Sequence, residues 1–450
     1  MHPFWRIAFR NLFRNGRRNL LTGTSITLGL VGISLLGGYL LRMERYLAAQ
    51  SVYLNLNGHV IAYAKGGLDR HLADPVRYSL SSEAQAALEK FGQDPRVEKV
   101  SPLLKATGLL SNGCVSFPYS ALAAPPATVA WARAQKPVQD YLSELVRVQK
   151  GRGFWELAEA ENPVNISPRL AGILGKERVN GETGAAGRDG IYDCALPQDR
   201  TALRQDPSVQ LVGQGFGGGL ALADGTIAGW VSSGMAFQDD TALLLPYGAA
   251  QSAYQTDLAT AETFYLKDEA DIPGFVHDLD RFLAREKIEA DVYPFSSEKI
   301  SAFYVGGMQF NWVMLYLFLA LVCSVVAISI SNSLYISLVE RRSELGTLLA
   351  VGFPRRAILR LLLLEHALLV GFSLVPGLAL TALVRAIVHA RNIRFLIPGL
   401  SSDLQFRLHL TPGFVLAVIF LLLALVLMVT YAGASRFLKR PILSLLGGSV

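Results

Sequence analysis

The sequence predicts an α-helical membrane protein with four transmembrane helices and one large extracytoplasmic α+β domain. Three observations support this fold class: four long apolar runs, arginines clustered beside these runs, and a stretch from residue 43 to 305 with the composition of an ordinary globular protein. The 450 residues are 51% hydrophobic and only 17% charged, whereas soluble domains carry roughly 25% charged residues.

The first apolar run, residues 20–41, contains no charged residue. About 20 such residues cross a bilayer as a helix. A cleaved signal peptide would have a shorter apolar region, of roughly 7–15 residues, so an uncleaved anchor is favoured. Ser25 and Gly29, and again Ser34 and Gly38, are four residues apart. This spacing predicts a face of small residues that a neighbouring helix approaches closely.

The remaining spans are predicted at 310–339, 358–388 and 412–433. The second is longer than a bilayer requires, so we expect it to tilt or to project beyond the lipid. Pro376-Gly377 lies inside the third span and is expected to kink or break that helix.

Arginines in the short flanks predict the orientation. Clusters lie in segments 1–19, 340–357 and 434–450, and four crossings place all three on one side, which is cytoplasmic by the positive-inside rule. The loop 389–411 conflicts with this rule, because it carries Arg391, Arg394 and Arg407 yet must face outward. The first cluster consists of Arg6, Arg10, Arg14, Arg17 and Arg18.

The domain between the first two spans, residues 42–309, is too long to be a loop. Strand patterns occur at 58–63, 97–110, 263–267 and 292–295, and helical periodicity at 81–91 and 272–286, with Ser81 able to cap the first helix. Two strand–helix–strand units therefore bracket a middle section. We predict a porter-like α+β subdomain that is interrupted by a β-rich insertion from about 111 to 245.

Glycines and cysteines mark the predicted insertion. The chain has no G-x-x-x-x-G-K-[ST] phosphate loop, so the glycine clusters predict hairpin turns. A disulfide between Cys114 and Cys194 is permitted by the compartment, although two cysteines alone do not establish it. The clusters are Gly181, Gly184, Gly187 and Gly190, then Gly213, Gly215, Gly217, Gly218 and Gly219.

No catalytic or metal-binding constellation is recognised in the sequence. The histidines lack metal-ligand spacing, G-x-S-x-G is absent, and the adjacent Asp239-Asp240 is interpreted as a solvated turn. Glu365, in the third span, is the one costly placement. An intramembrane carboxylate indicates function by default, but Glu365 follows Arg360 closely, near the interface, where it could also reach water or an arginine.

Several segments follow a pattern that spans the chain. Residues 6–18 form an arginine-rich opening, residues 341–352 fit RxxEIGxlxAxG with Leu345 in place of isoleucine, and Glu365 follows as an acidic residue in the third span. Asn57-Gly58-His59-Val60, residues 165–175 and the closing Pro441-Ile442 complete the pattern. In these segments the chain resembles permease subunits of MacB/FtsX-like ABC transporters, especially the LolC/LolE-like lipoprotein-releasing branch.

This resemblance implies a non-catalytic inner-membrane subunit with both termini in the cytoplasm. A separate cytoplasmic ABC ATPase dimer would bind ATP and Mg, and this chain would hold no cofactor or metal. A second permease chain (identical or homologous), membrane lipids and a periplasmic carrier or adaptor are the other expected partners, and nucleic acid is not one. Residues 340–352 would dock on the ATPase through Arg341, Arg342, Glu344, Gly346, Ala350 and Gly352, with the two glycines permitting a tight turn.

The resemblance leaves the cargo open. We expect extraction or export of a lipoprotein, lipid or other amphipathic cargo, driven by movements of the periplasmic domain. Efflux of a drug or peptide with a periplasmic adaptor is one alternative. FtsX-like signalling to a cell-wall hydrolase, with nothing transported, is the other.

Overall fold

The computed structural model describes residues 5, 8–11, 14, 16–143, 145, 147–157, 162–182, 192–395, 399–401 and 403–441. Arg6, Gly184, Gly187, Gly190 and Ile442 lie outside the described residues, as do parts of segments 1–19 and 434–450. The chain forms two compact units. The membrane unit comprises Met1–Met43, Met308–Arg394 and Gln405–Val450, and the globular unit comprises Glu44–Gly307 and Phe395–Leu404.

The helices are numbered here in chain order. Four of them, α1, α11, α13 and α14, are long and apolar enough to cross a membrane. The helices are α1 (Gly16–Ala49, followed by a π-helical turn, Gln50–Leu54), α2 (Gly67–Arg70), α3 (Ser82–Phe91), α4 (Pro126–Ala134), α5 (Lys136–Leu142), α6 (Pro168–Ile173), α7 (Pro197–Gln205), α8 (Ala236–Asp239), α9 (Tyr247–Tyr254), α10 (Ile272–Glu286), α11 (Glu298–Glu340), α12 (Arg342–Ala350), α13 (Arg355–Arg391) and α14 (Pro412–Leu438).

The strands follow the same numbering. Ten belong to one sheet, and β11 and β12 pair with each other in a second sheet. The strands are β1 (Val60–Ala64), β2 (Val97–Ser111), β3 (Ser116–Ala124), β4 (Lys150–Gly151), β5 (Pro163–Ile166), β6 (Ser208–Gln214), β7 (Leu220–Trp230), β8 (Ala242–Pro246), β9 (Ala261–Leu266), β10 (Ala290–Pro294), β11 (Arg394–Phe395) and β12 (Leu404–Gln405).

All four long helices extend beyond the apolar runs that predicted them. The largest difference is at α11, which begins at Glu298 with a break in helical geometry at Ser301. Of the expected kink or break at Pro376, the break is absent, since α13 is continuous through this residue. Its neighbour Gly377 permits close packing instead, because a Cβ there would lie 2.8 Å from Leu30 of α1.

The first pair of small residues in α1 lies against α11. The Ser329 hydroxyl donates to the Ser25 hydroxyl at 3.2 Å. A Cβ added at Gly29 would lie 3.1 Å from Val322 and 3.3 Å from Val326. Larger side chains here would therefore push the two helices apart.

The second pair has a different neighbour. A Cβ at Gly38 would lie 2.8 Å from Leu410, and the Gly38 carbonyl accepts from the His409 backbone N–H at 2.9 Å. Ser34 is completely buried, and its hydroxyl has no hydrogen-bond partner among the described residues. The small residues of α1 therefore do not form one face toward one helix.

The α+β part of the globular unit uses strands β10, β1, β9 and the first half of β2, in that order. The predicted strands and both predicted helices in this region are confirmed, and the Ser81 hydroxyl accepts from the Ala84 N–H to cap α3. Phe275, Leu279 and Leu283 of α10 are buried, as its amphipathic pattern requires.

The second half of β2 enters a closed ring of strands. The order β2–β3–β8–β5–β7–β6 returns to β2, because β6 pairs with both β7 and β2. Its interior holds apolar side chains from every one of these strands, among them Leu104, Tyr119, Ile166, Leu211, Ile227 and Leu243. The ring begins near Leu104, not at 111, because one 15-residue strand serves both parts and no change in composition marks the junction.

Two details of the ring bear on the sequence predictions. The glycine-rich segment 215–219 is a hairpin turn between β6 and β7, and Gly218 has a φ of +85°. The interpretation of Asp239-Asp240 as a solvated turn is wrong for Asp239. This side chain is buried and accepts hydrogen bonds from Ser232 and Ser233. Asp239 therefore organises a buried turn.

Candidate functional site

The junction between α11 and α13 contains the segment predicted to couple to a partner. Helix α11 ends at Glu340, and Arg341 (φ −99°, ψ 17°) separates it from α12. A turn follows, in which the Gly352 N–H donates to the Leu349 carbonyl at 3.1 Å. Gly352 has a φ of +97°, a region that glycine enters without steric cost. The turn at Gly352 is thus specified locally.

Helix α12 packs one face into the membrane unit. Leu345, Gly346 and Leu349 are buried on this face. The prediction of a tight turn at Gly346 is wrong, because this residue lies inside α12. Its lack of a side chain suits this buried position. The core around it comprises Leu334, Leu338, Ile358, Leu362, Ala434, Phe437 and Leu438.

The opposite face and the following turn are exposed. Glu344 and Ala350 lie on the exposed side of α12. Val351 is 76% exposed and Phe353 is 45% exposed. An acidic side chain thus lies on the same exposed surface as two large apolar side chains, a combination suited to a protein partner.

Glu365 lies in α13 at the centre of an ion-pair cluster. The Arg341 guanidinium donates to both carboxylate oxygens, at 3.2 and 3.3 Å, and Asn11 Nδ2 donates to Oε1 at 2.5 Å. The side chains of Arg341 and Glu365 are each only 11% exposed. Of the two interpretations of Glu365, the contact with an arginine is present, and that arginine is Arg341.

The N-terminal segment supplies two further arginines. Arg18 pairs with Glu340 at 2.8 Å, and Arg14 with Glu344 at 3.6 Å. Arg341 Nε also contacts Glu344 at 3.3 Å. The cluster therefore links the N-terminal segment, the end of α11, α12 and α13, whereas Arg342 makes no ion pair within the described part of the chain.

Sequence reasoning missed Asn11, Arg14 and Arg18 as members of this cluster. One signal was available, since Arg14 and Arg18 are four residues apart, as are Glu340 and Glu344. Equal spacing on two facing segments allows two parallel ion pairs. The pairing itself required the tertiary structure, because more than 300 residues separate the partners.

The cluster holds structural elements together and contains no nucleophile–base pair. Among the described residues, no group of three or more His, Cys, Asp or Glu side chains is placed to hold a metal ion. The arrangement can resist or transmit displacement, because moving α12 would disturb the pairs of Glu344 with Arg14 and Arg341, and Arg341 in turn contacts Glu365 of α13.

Just before β1 of the globular unit, Gly58 and His59 occupy special positions. Gly58 has a φ of +63°, and a Cβ there would lie 2.8 Å from the Phe264 carbonyl. The buried His59 ring accepts from the Leu266 N–H at 2.9 Å through Nδ1. Burial lowers the pKa of His59 to about 4. This pair is therefore a structural feature of the sheet.

A disulfide and a basic cavity are two further features of the globular unit. Cys114 and Cys194 are joined by a disulfide that closes a separation of 80 residues. A cavity of about 380 Å³ is lined partly by Lys105 and Arg133, and no carboxylate is among its lining residues. Desolvation lowers the pKa of Arg133 to about 10.

Comparison with known proteins gives a partial match. No curated protein sequence matches this chain. The periplasmic region of MacB from Actinobacillus actinomycetemcomitans is 11% identical over 53% of this chain and 90% of its own, with a TM-score of 0.33. The extracellular domain of the noncanonic ABC-type transporter YknZ from Gram-positive bacteria is 12% identical over 52% of this chain and 98% of its own, with a TM-score of 0.30.

A family match covers the ion-pair cluster on α11, α12 and α13. Residues 316–442 match the FtsX-like permease C-terminal family. This range includes most of α11, the whole of α12, α13 and α14, and four members of the cluster, Glu340, Arg341, Glu344 and Glu365. The candidate coupling site therefore lies in a region similar to the C-terminal domain of FtsX-like permeases.

Proposed function

We propose that this chain is the membrane subunit of an ABC transporter and that α12, with its following turn, docks on a separate ATPase. The observation that carries the proposal is the division of α12 into two faces. Leu345 and Leu349 anchor one face, while Glu344 and Val351 remain exposed. ATP and Mg would bind to the partner, and this chain would contribute no catalysis.

The ion-pair cluster supports a mechanical role for the same segment. A displacement of α12 would act directly on Arg341, which contacts both Glu344 and Glu365. Glu365 belongs to α13 and also binds Asn11 of the N-terminal segment. Movement at the ATPase contact would thus reach two further segments without passing through a flexible loop.

The surface of the strand ring supports an amphipathic cargo such as a lipoprotein or lipid. Pro118, Leu109, Val212 and Leu222 lie side by side on four neighbouring strands. Leu109 is 45% exposed, Leu222 is 64% exposed, and nearby Leu220 is 67% exposed. An exposed apolar row on a soluble domain is typical of an interaction site.

The docking role can be tested with Glu344→Arg and Val351→Asp. Each variant is expected to abolish co-purification of the co-expressed ATPase and to abolish stimulation of the ATPase activity. The first variant reverses a charge on the exposed face, and the second replaces an exposed apolar side chain with a charged one. Arg14→Gln is the matched control, since it removes the intramolecular pair to Glu344 and leaves the α12 surface intact. Retained association in both test variants, or equal loss in the control, would reject the docking surface.

The assembly can be measured directly. Native mass spectrometry of the complex should show two permease chains and two ATPases, because such a motor closes two halves on each other. The permease purified alone should not hydrolyse ATP, and turnover by the isolated chain would contradict the proposal.

The cargo assignment has its own test. Leu220→Ser with Leu222→Ser should impair release of lipoproteins or lipids while leaving ATPase association unchanged. The variant is expressed in cells depleted of the wild-type protein, and the readout is where the lipoproteins and lipids are localised. Normal localisation together with lost cell-wall hydrolase activity would favour a signalling function instead.

A further inference from the structure

The end of the membrane unit opposite Glu365 carries arginines without carboxylates. The segments of this unit contain just three acidic residues, Glu340, Glu344 and Glu365, and we call their location the acidic end. Arg385 lies 20 residues after Glu365 in α13, which is about 30 Å along a helix axis and matches the hydrocarbon thickness of a bilayer. We call the location of Arg385, His389 and Arg407 the arginine end.

Three side chains converge at the arginine end. Arg385 and His389 are four residues apart on α13 and therefore share a face. Arg407 lies within electrostatic reach of His389, as does the buried Arg42. Arg385 and Arg407 are exposed, and neither forms an ion pair with a carboxylate within the described residues.

His389 is oriented by a backbone contact. Its Nε2 accepts from the Leu408 N–H at 3.3 Å, so in the neutral ring Nδ1 carries the proton and can donate. The site thus offers two guanidinium groups and one imidazole N–H. Planar guanidinium groups match the oxygens of a phosphate, which they bind through paired, charge-assisted hydrogen bonds.

The surroundings identify the source of the phosphate as a lipid. Leu383 and Ile387, on either side of Arg385 in α13, are 55% and 49% exposed. Exposed apolar side chains on a membrane-spanning helix face acyl chains, so the neighbouring guanidinium group lies at headgroup level. Basic clusters at the ends of membrane helices bind anionic headgroups in this way.

We propose that Arg385, His389 and Arg407 bind the phosphate of an anionic phospholipid headgroup. The site is distinct from the ATPase contact and from the apolar row on the globular unit, and it does not depend on the cargo. It also accounts for arginines in loop 389–411 that conflict with the positive-inside rule, because a bound anionic lipid would neutralise them.

The test uses the full-length chain in a neutral detergent and native mass spectrometry. Dioleoylphosphatidylglycerol and dioleoylphosphatidylcholine are offered at equal concentrations. Wild-type protein should retain the anionic lipid about tenfold more, and Arg385→Gln with Arg407→Gln should remove most of this preference. Arg281→Gln with Arg285→Gln removes the same charge from exposed positions on α10 of the globular unit and should change nothing.

Three outcomes would overturn the proposal. Equal retention of the two lipids by the wild-type protein would overturn the proposal. This result needs no variant, so the proposal can be rejected even if the double glutamine variant fails to fold. Unchanged preference in the folded glutamine pair would also overturn it. Displacement of the lipid by millimolar inorganic phosphate would assign the site to a free anion. Arg385→Lys with Arg407→Lys should retain a reduced preference, because charge is kept and the planar donor fork is lost.

Discussion

The two ends of the membrane unit use arginine in different ways. At the acidic end, each of the three carboxylates lies within 4 Å of an arginine, and the best-buried pair, Arg341–Glu365, ties α13 to the break between α11 and α12. At the arginine end, Arg385 and Arg407 have no such partner among the described residues. The arginines at the acidic end therefore hold helices together through ion pairs, whereas Arg385 and Arg407 at the arginine end form no ion pair with a described carboxylate.

Burial determines how much stability is lost when each ion pair is broken. Arg341 and Glu365 are nearly excluded from solvent, whereas Arg14 and Glu344 are 51% and 53% exposed. A charge that loses its partner in a buried site cannot regain hydration, while an exposed charge can. The same residue types should therefore respond very differently to substitution.

The largest effect is expected at the buried pair. Arg341→Met leaves the Glu365 carboxylate buried with only Asn11 as a donor, which should lower the free energy of unfolding of the membrane unit by about 3–5 kcal/mol. The double variant Arg341→Met with Glu365→Leu removes both charges and should recover most of this loss. Denaturant unfolding of the full-length protein in detergent measures both, and a double variant no better than the single one would contradict this account.

A buried titratable group without a charged partner gives the next effect. The pKa of His59 falls from its ordinary 6.5 to about 4 in the folded protein. Above pH 6.5 the ring is neutral in both states and contributes no pH dependence. Between pH 6.5 and 4 the unfolded state binds the proton first, so stability of the globular unit should fall by about 3 kcal/mol.

His59→Asn isolates this term. Asparagine keeps an acceptor for the Leu266 N–H but does not titrate in this range, so this part of the acid dependence should disappear. Unfolding followed by tryptophan fluorescence at pH 7 and pH 4 measures it. The exposed His277→Asn is the control and should retain the wild-type pH dependence; equal behaviour of the two variants would refute the assignment.

A smaller effect is expected at the exposed pair. Arg14→Gln removes its ion pair with Glu344 and should change stability by only about 0.2–1 kcal/mol. Salt screens exposed ion pairs, so this difference between wild type and variant should be measurable at low salt and should vanish at high salt. A larger, salt-insensitive loss would mean that Arg14 has a buried structural role.

The smallest effect is expected at the arginine end. In lipid-free detergent, Arg385→Gln should leave the free energy of unfolding within about 0.5 kcal/mol of wild type, because an exposed charge without an ion-pair partner loses little when removed. A substantial loss in the absence of lipid would indicate a protein partner for Arg385 and would weaken the comparison between the two ends.

Much of the fold was predictable because its signals are local. Apolar runs predicted the four long helices, and periodicity with a serine cap predicted α3 from Ser81 onward. The glycine at 352 was recognisable because a turn requires its backbone conformation. Gly346 was misinterpreted for the complementary reason: inside a helix, a glycine serves packing, and sequence does not distinguish a turn from a crowded contact.

The sequence by itself determined the number of apolar spans, the strand–helix–strand units, the amphipathic helices α3 and α10, and the position of Glu365 in a span. Only the tertiary structure decided that Glu365 meets Arg341 and Asn11, that β2 is shared between the sheet and the closed ring, and that α13 continues through Pro376. The reason is physical. Hydrophobic periodicity and turn conformation depend on neighbours within a few residues, whereas an ion pair or strand closure depends on which distant segments the folded chain brings together.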